Sequence, residues 1–324
     1  MSNGISGNMT EDDRKIGIPP DWTVDHSVVF PMSEGLPSNA WHVTEAMKEL
    51  HRRGVDGRGV KVAVNDTAGE TDHPFLPKQI AGRDFTGSRV GLKDSHGHGT
   101  HCQGIVRSVA PKCDLITAKV LGDSGSGSTT GINSGRVWAA TQGADIISES
   151  LGDGGGSPIP ADLAAYDECY KLGASICVAA LGNAGFNGSR STIGRPGSYS
   201  NHNHGIAALQ SDWRTVAGFS SGGPQARFAA PGSQIVSCKP GGGWVLMSGT
   251  SMATPWEAGL YALIIGWRRG LGYADLRGPK EWADFFVLNG LTVDLGADGW
   301  DPRYGNGLVG VSKVFEFLLD KTVA

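Results

Sequence analysis

The sequence predicts an α/β fold: a parallel sheet covered by helices on both faces, in a single domain. Two observations carry this. Short apolar runs without a polar face alternate along the chain with longer runs of helical spacing. Glycine supplies 50 of 324 residues, gathered in loops beside those runs and without a Gly-x-y period, so the excess means tight turns and close backbone approaches. A hydrophobic share of 39% is enough for a sizeable core, and a charged share of 19% excludes a solvated disordered chain.

Residues 1–37 are polar, carry Pro19-Pro20, Pro31 and Pro37, and read as an arm ahead of a domain over 38–324. From Trp41, the spacing of Val43, Ala46, Met47 and Leu50 predicts a helix, stopped by the glycines of 54–59. Val60–Val64 is a β-branched strand. Thr100–Val106 reads as helix and Leu115–Leu121 as strand. Ile132–Thr141 is helix and Ile146–Leu151 strand; Ala161–Leu172 is helix and Ile176–Leu181 strand. Ile206–Leu209 adds a strand, Met252–Trp267 a long apolar helix, and Pro279–Leu288 a helix with proline suited to its first position. Val311–Leu319 closes the chain. Glycine-rich loops at 122–131, 152–158, 182–197 and 240–250 lie where ligands bind in such sheets, at strand carboxyl ends.

The formal charge of −4 comes without a basic block, which gives no footprint for nucleic acid. No apolar run approaches the ~18 residues of a membrane span. The first seventeen residues do not have the pattern of a secretory leader, and five cysteines without CxxC spacing (Cys102, Cys113, Cys169, Cys177 and Cys238) read as reduced thiols, so a cytosolic protein is expected, a processed secreted form being the alternative. The histidines and cysteines are not spaced as zinc ligands, and no metal site is expected from them.

Three segments stand out. Lys61–Asp66 is an apolar strand ending on a carboxylate. His96-Gly-His98-Gly-Thr-His101-Cys102 opens a helix. Ser248-Gly-Thr-Ser251-Met-Ala-Thr-Pro255 leads into the longest apolar helix. Singly, each has an ordinary explanation: a turn or cap aspartate, a metal site or an accident of composition, an N-cap. Together they supply a nucleophile, a base and a group to orient the base. Ser251 at a helix N-terminus would have orphan N–H groups and the helix dipole beside it, and its own amide could hold a developing oxyanion. His98 would take its proton and Asp66 would hold the imidazole tautomer. Pro255 fits near the first helical turn. Asn183, in Leu181-Gly-Asn-Ala-Gly185, is either an αL turn residue or a side-chain donor to the oxyanion.

These motifs resemble the subtilisin-like serine proteases, the subtilase family: His-Gly-Thr-His at 98–101, Gly-Thr-Ser-Met-Ala-Thr-Pro at 249–255, Gly-Asn-Ala-Gly at 182–185, in the order Asp66, His98, Ser251. The likeness runs from about Gly54 to Val309, and Cys102 after His101 resembles the proteinase K-like branch. It implies a subtilisin-like fold and a serine endopeptidase acting through an acyl-enzyme. It implies that Ser150-Leu151-Gly152 and Ala180-Leu181-Gly182 wall the first specificity pocket, with Gly194 as floor, and that Gly125-Ser126-Gly127 is the edge that pairs with substrate backbone. The walls being uncharged, an apolar or aromatic residue is expected before the cut, although Glu149 or Asp153 could favour a basic one.

The chain also departs from the family. Asp66-Thr67-Ala68-Gly69 replaces Asp-Thr-Gly, Asn65 replaces an apolar residue, and Trp256-Glu257 stands where His-Val is frequent. Asp72 and Asp94 are weaker candidates than Asp66 for the orienting acid. Phe75 occupies a position where many members have a calcium-binding Asp, and the ligand loop after Arg107 looks deleted, so no cofactor is required; a weak calcium site of carbonyls near Gly194–Tyr199 stays open. Cys102, four residues after His98, is expected on the same helix face, close to the active site. The arm is too short for the family's folding prodomain, which implies either that the prodomain was removed or that this is an intracellular or phage-type form; the arm is otherwise read as a short inhibitory segment. Partners are protein or peptide substrates. The competing functions are a processing protease or transpeptidase of the same fold, and an inactive binding scaffold.

Overall fold

The computed structural model describes residues 15–17, 23–30, 36–37 and 40–322. Pro19, Pro20 and Pro31 lie outside the described residues, as does most of the segment read for a leader.

The centre is a nine-stranded sheet. Its strands, in chain order, are β3 (Lys61–Asp66), β4 (Ala81–Asp84), β5 (Asp114–Lys119), β7 (Ile146–Glu149), β8 (Ile176–Ala180), β9 (His204–Leu209), β10 (Ala226–Pro231), β13 (Thr292–Val293) and β14 (Leu308–Val309). The spatial order is β13-β14-β10-β9-β8-β7-β3-β5-β4, parallel except for β13 against β14. From β3 the chain fills β4 and β5 on one side, then returns to β7 on the other. That reversal opens a crevice at the carboxyl ends of β3 and β7.

Successive residues of β3 face opposite ways, and both faces are buried. Val62 and Val64 join the core of α1 (Glu45–Arg52), α2 (His98–Val109) and α5 (Thr250–Gly270), with α6 (Gly278–Leu288) and α7 (Val311–Thr322) at its rim. Ala63, Ile116, Ile147 and Cys177 face α3 (Thr129–Thr141) and α4 (Pro160–Lys171). This is why the strands read as continuous apolar runs. No helix among the described residues is long and apolar enough to cross a membrane.

The predicted elements are present, with shifted ends. The helix expected at Thr100 begins at His98, and the one expected at Met252 begins at Thr250 and runs to Gly270. The strand expected to reach Leu151 ends at Glu149, and the one expected to reach Leu121 ends at Lys119. Pro255 lies inside α5, not at its first turn. The arm contains β1 (Lys15–Gly17) and β2 (Thr23–Phe30). β1 pairs antiparallel with β6 (Ser126–Ser128), and β2 with β12 (Trp244–Ser248), which also pairs with β11 (Ile235–Cys238).

Candidate active site

Asp66 ends β3, His98 opens α2, and Ser251 is the second residue of α5; all three are shut off from solvent. Asp66 accepts from His98 Nδ1 at 2.8 Å through Oδ1 and 3.0 Å through Oδ2, and its Oδ1 also accepts from Thr67 N–H at 2.7 Å. This contact orients the ring and puts Nδ1–H on the carboxylate. Gly99 brings the two segments together: a Cβ there would stand 2.0 Å from the carbonyl oxygen of Ala68. Ala68 itself sits at φ 122°, the glycine region where the family pattern has Gly, a strain of about 1–3 kcal/mol beside Asp66.

The start of α5 shows why a proline follows four residues after Ser251. A residue at 255 would normally donate its N–H to the Ser251 carbonyl, and proline cannot. That carbonyl accepts instead from Ser150 Oγ at 2.8 Å and from Cys102 Sγ at 3.5 Å, which ties Ser251 to the end of β7 and to α2. The Ser251 hydroxyl donates to the Ser150 carbonyl at 3.3 Å.

Asn183 lies just past β8. Its Oδ1 accepts from Thr250 N–H at 2.9 Å and Thr250 Oγ1 at 3.0 Å, which fixes the amide plane. The Nδ2 on the other side of that plane is buried and has no acceptor among the described residues. A buried amide donor with no acceptor is costly unless something is to be bound. Asn183 does not take the left-handed backbone, which among the described non-glycine residues only Ala68, Trp213 and Gln234 adopt, so the αL turn reading fails.

The expected pocket segments also converge. Ser150 and Gly152 follow β7, Ala180–Gly182 follow or end β8, and Gly194 N–H donates to the Leu181 carbonyl at 3.1 Å. A Cβ on Gly194 would meet the Asp153 carbonyl oxygen at 2.1 Å, so only glycine fits between the two walls. Gly125, Ser126 and Gly127 form and precede β6, whose edge is taken by β1: Ile16 opposite Gly127 and Gly17 opposite Ser126.

Neither acid considered for a basic specificity is free. Glu149 points away from the crevice into the α3–α4 core. There it accepts from Arg136 Nε at 3.0 Å, Asn65 Nδ2 at 3.2 Å and Tyr166 OH at 2.5 Å. Asp153 is bound by Arg195 Nη2 at 2.5 Å and by the Gly155 and Arg195 amides. Strand alternation turns the first aside, and ion pairing occupies the second.

Cys102 is where its helical spacing puts it, its Sγ 3.9 Å from His98 Nδ1, and burial with Asp66 nearby pushes its thiol pKa well up. Asp66, His98 and Cys102 offer ligand atoms within 4.8 Å of one another, the one such cluster among the described residues. That cluster takes in His98 but neither His96 nor His101: the His101 ring turns toward β11 and β12, its Nε2 3.1 Å from the Ile235 carbonyl, and burial lowers its pKa to about 3. Asp94 enters the sequence reading only as a weaker candidate for the orienting acid, and Thr67 only as part of a motif, yet both bind at the start of α2. Asp94 accepts from the start of α2, and Thr67 links that acid to Asp66. Their only sequence signal was a Thr after Asp66 and an acid four residues before His98.

Residues 57–307 match the model of the subtilase family, Peptidase S8. The chain is 38% identical to an intracellular serine protease of Paenibacillus polymyxa over 279 residues, 80% of this chain and 81% of that one. It is 35% identical to subtilisin DY of Bacillus licheniformis over 272 residues, 81% of this chain and 93% of that one. It is 38% identical to thermitase of Thermoactinomyces vulgaris over 238 residues, 70% and 81% of the two chains. With this likeness added to the parallel sheet and the crevice at its carboxyl edge, the chain belongs to the subtilase family and is a subtilisin-like serine endopeptidase.

Proposed function

We propose that Ser251 is the nucleophile, His98 the general base, Asp66 the acid that orients it, and Asn183 the side-chain oxyanion donor. The observation that carries this is the His98 Nδ1–Asp66 contact, joined to a serine at the mouth of α5 and an Asn183 Nδ2 without an acceptor among the described residues. Ser251 Oγ would attack the scissile carbonyl carbon as its proton passes to His98 Nε2. The carbonyl oxygen becomes an oxyanion facing Asn183 Nδ2 and the Ser251 N–H. Collapse breaks the C–N bond, and His98 returns the proton to the leaving amine. Water then repeats the sequence on the acyl-enzyme.

Substrate would pair its backbone with Gly125–Gly127 and place an apolar or aromatic side chain between 150–152 and 180–182, above Gly194. Burial of that side chain contributes about 1.5–3 kcal/mol. The arm already pairs with β6 and, through Thr23 opposite Ser248, with the strand leading to Ser251. These two pairings support its reading as an inhibitory segment lying along the substrate track.

The test is Ser251→Ala. The variant folds, loses fluorophosphonate labelling and loses nearly all peptide hydrolysis; turnover near wild type overturns the assignment. Mass spectra of products with an added amine separate hydrolysis from transfer, and a cleavage profile dominated by Arg or Lys before the cut overturns the apolar pocket. Deletion of residues 1–37 raises the initial rate on short peptides if the arm inhibits, and leaves it unchanged if it does not.

A further inference from the structure

We propose that Asp94 is a positioning residue for the His98–Asp66 pair, acting through Thr67; this rests on the triad reading above. Helix α2 has a glycine as its N-cap residue, Gly97, with no side chain to satisfy the first amides. Asp94 takes that role from outside the helix. Its Oδ1 accepts from Gly97 N–H at 2.8 Å and His96 N–H at 3.2 Å, and its Oδ2 from Thr100 N–H at 2.8 Å and Thr100 Oγ1 at 2.6 Å. The fifth bond reaches the other segment: Thr67 Oγ1 donates to Asp94 Oδ1 at 2.9 Å.

Thr67 is the residue after Asp66, and it bonds in three directions. Its N–H donates to Asp66 Oδ1, its hydroxyl oxygen accepts from Gly99 N–H at 2.9 Å, and its hydroxyl proton goes to Asp94. A buried carboxylate thus fixes the first turn of the helix that carries His98 and, through one hydroxyl, the turn that carries Asp66. That turn includes Ala68 at φ 122°, a conformation that persists only where surrounding structure holds it. The buried charge sits at a helix N-terminus, where the dipole favours it.

An asparagine at 94 has one acceptor oxygen instead of two and presents an N–H to amide donors. The His98 ring then loses its fixed distance to Asp66, and a shift of about 1 Å in such a contact can cost on the order of 10²-fold in rate.

The experiment compares Asp94→Asn, Thr67→Val and Thr67→Ser in the full chain, with active sites titrated by a fluorophosphonate. Labelling of Ser251 and the silence of Ser251→Ala test the triad separately. Thr67→Val is close to isosteric, so it decides the matter even if Asp94→Asn does not fold. It is expected to lower kcat per titrated site by about tenfold or more with KM within about twofold, while Thr67→Ser restores kcat. A purely structural cap predicts a lower Tm with kcat and KM unmoved. That result in Thr67→Val overturns the proposal, whatever Asp94→Asn does.

Discussion

Asn65 on β3 donates from Nδ2 to Glu149 Oε1 on the neighbouring β7, 3.2 Å away, one step beyond the Val64–Ser148 pairing. Asn65 is a departure from the family pattern when read alone, and Glu149 an acid without an evident partner. Together they explain each other. Both side chains face the α3–α4 side, where Arg136 closes the charge and stacks 3.9 Å from the Tyr166 ring centroid. The pair lies one residue from Asp66 and one residue from Ser150, so its packing borders the site.

Glu149→Met strands the Arg136 guanidinium in the core. We expect a loss of about 3–5 kcal/mol in urea unfolding, whereas the triple variant Asn65→Val, Arg136→Leu, Glu149→Met recovers most of it. A single variant as stable as wild type shows that the network carries no such energy.

Asn183→Ala is expected to lower kcat by about 10²–10³ with KM little changed, a magnitude carried over from the corresponding substitution in subtilisin itself. Steady-state kinetics check it. A loss confined to KM places Asn183 in substrate binding instead.

Stability should peak near pH 6.5. Burial lowers the pKa of His42, His101 and His204 to about 3, so between 3 and 6.5 the unfolded chain binds more protons and stability rises with pH. Burial raises that of Glu257 from 4.5 to about 8, and over that window the folded chain binds the extra proton, so this group lowers stability as pH rises. Below 6.5 the three histidines outweigh it; above 6.5 it acts alone, on the order of 1.4 kcal/mol per pH unit at most. Urea unfolding of Glu257→Gln should lose the decline between pH 6.5 and 8; an unchanged decline refutes the assignment.

A small mercurial should reach Cys102 and disturb His98, lowering activity in wild type while sparing Cys102→Ala. The Sγ–Nδ1 distance of 3.9 Å is the basis. Equal inhibition of both places the sensitive thiol elsewhere. Bulky thiol reagents should act poorly, because burial keeps the thiol protonated.

EDTA is expected to leave Tm nearly unchanged. The Phe75 ring packs on Trp244 at 5.0 Å between centroids and supplies no oxygen ligand, and α2 runs unbroken to Val109. A large fall in Tm restored by calcium alone reverses this expectation.

The sequence by itself determined the elements and the site candidates. Short apolar runs beside glycine-rich turns read as strands buried on both sides and the longer one as a helix, with Asp66 at a strand end and His98 and Ser251 at helix starts. Helical spacing alone put Cys102 beside His98. The tertiary structure decided what depends on distant partners. Glu149 left the pocket because the residues that bind it, Arg136 and Tyr166, come from two helices brought against the sheet's other face. Asp94 gained its role because Thr67 and Thr100, 33 residues apart, meet at one carboxylate. Pro255 could stand inside α5 because side chains of β7's end and of α2 take up the carbonyl it leaves unpaired. Periodicity reports which way a side chain faces along its own element; hydrogen-bond partners far apart in sequence exist only once the chain has folded.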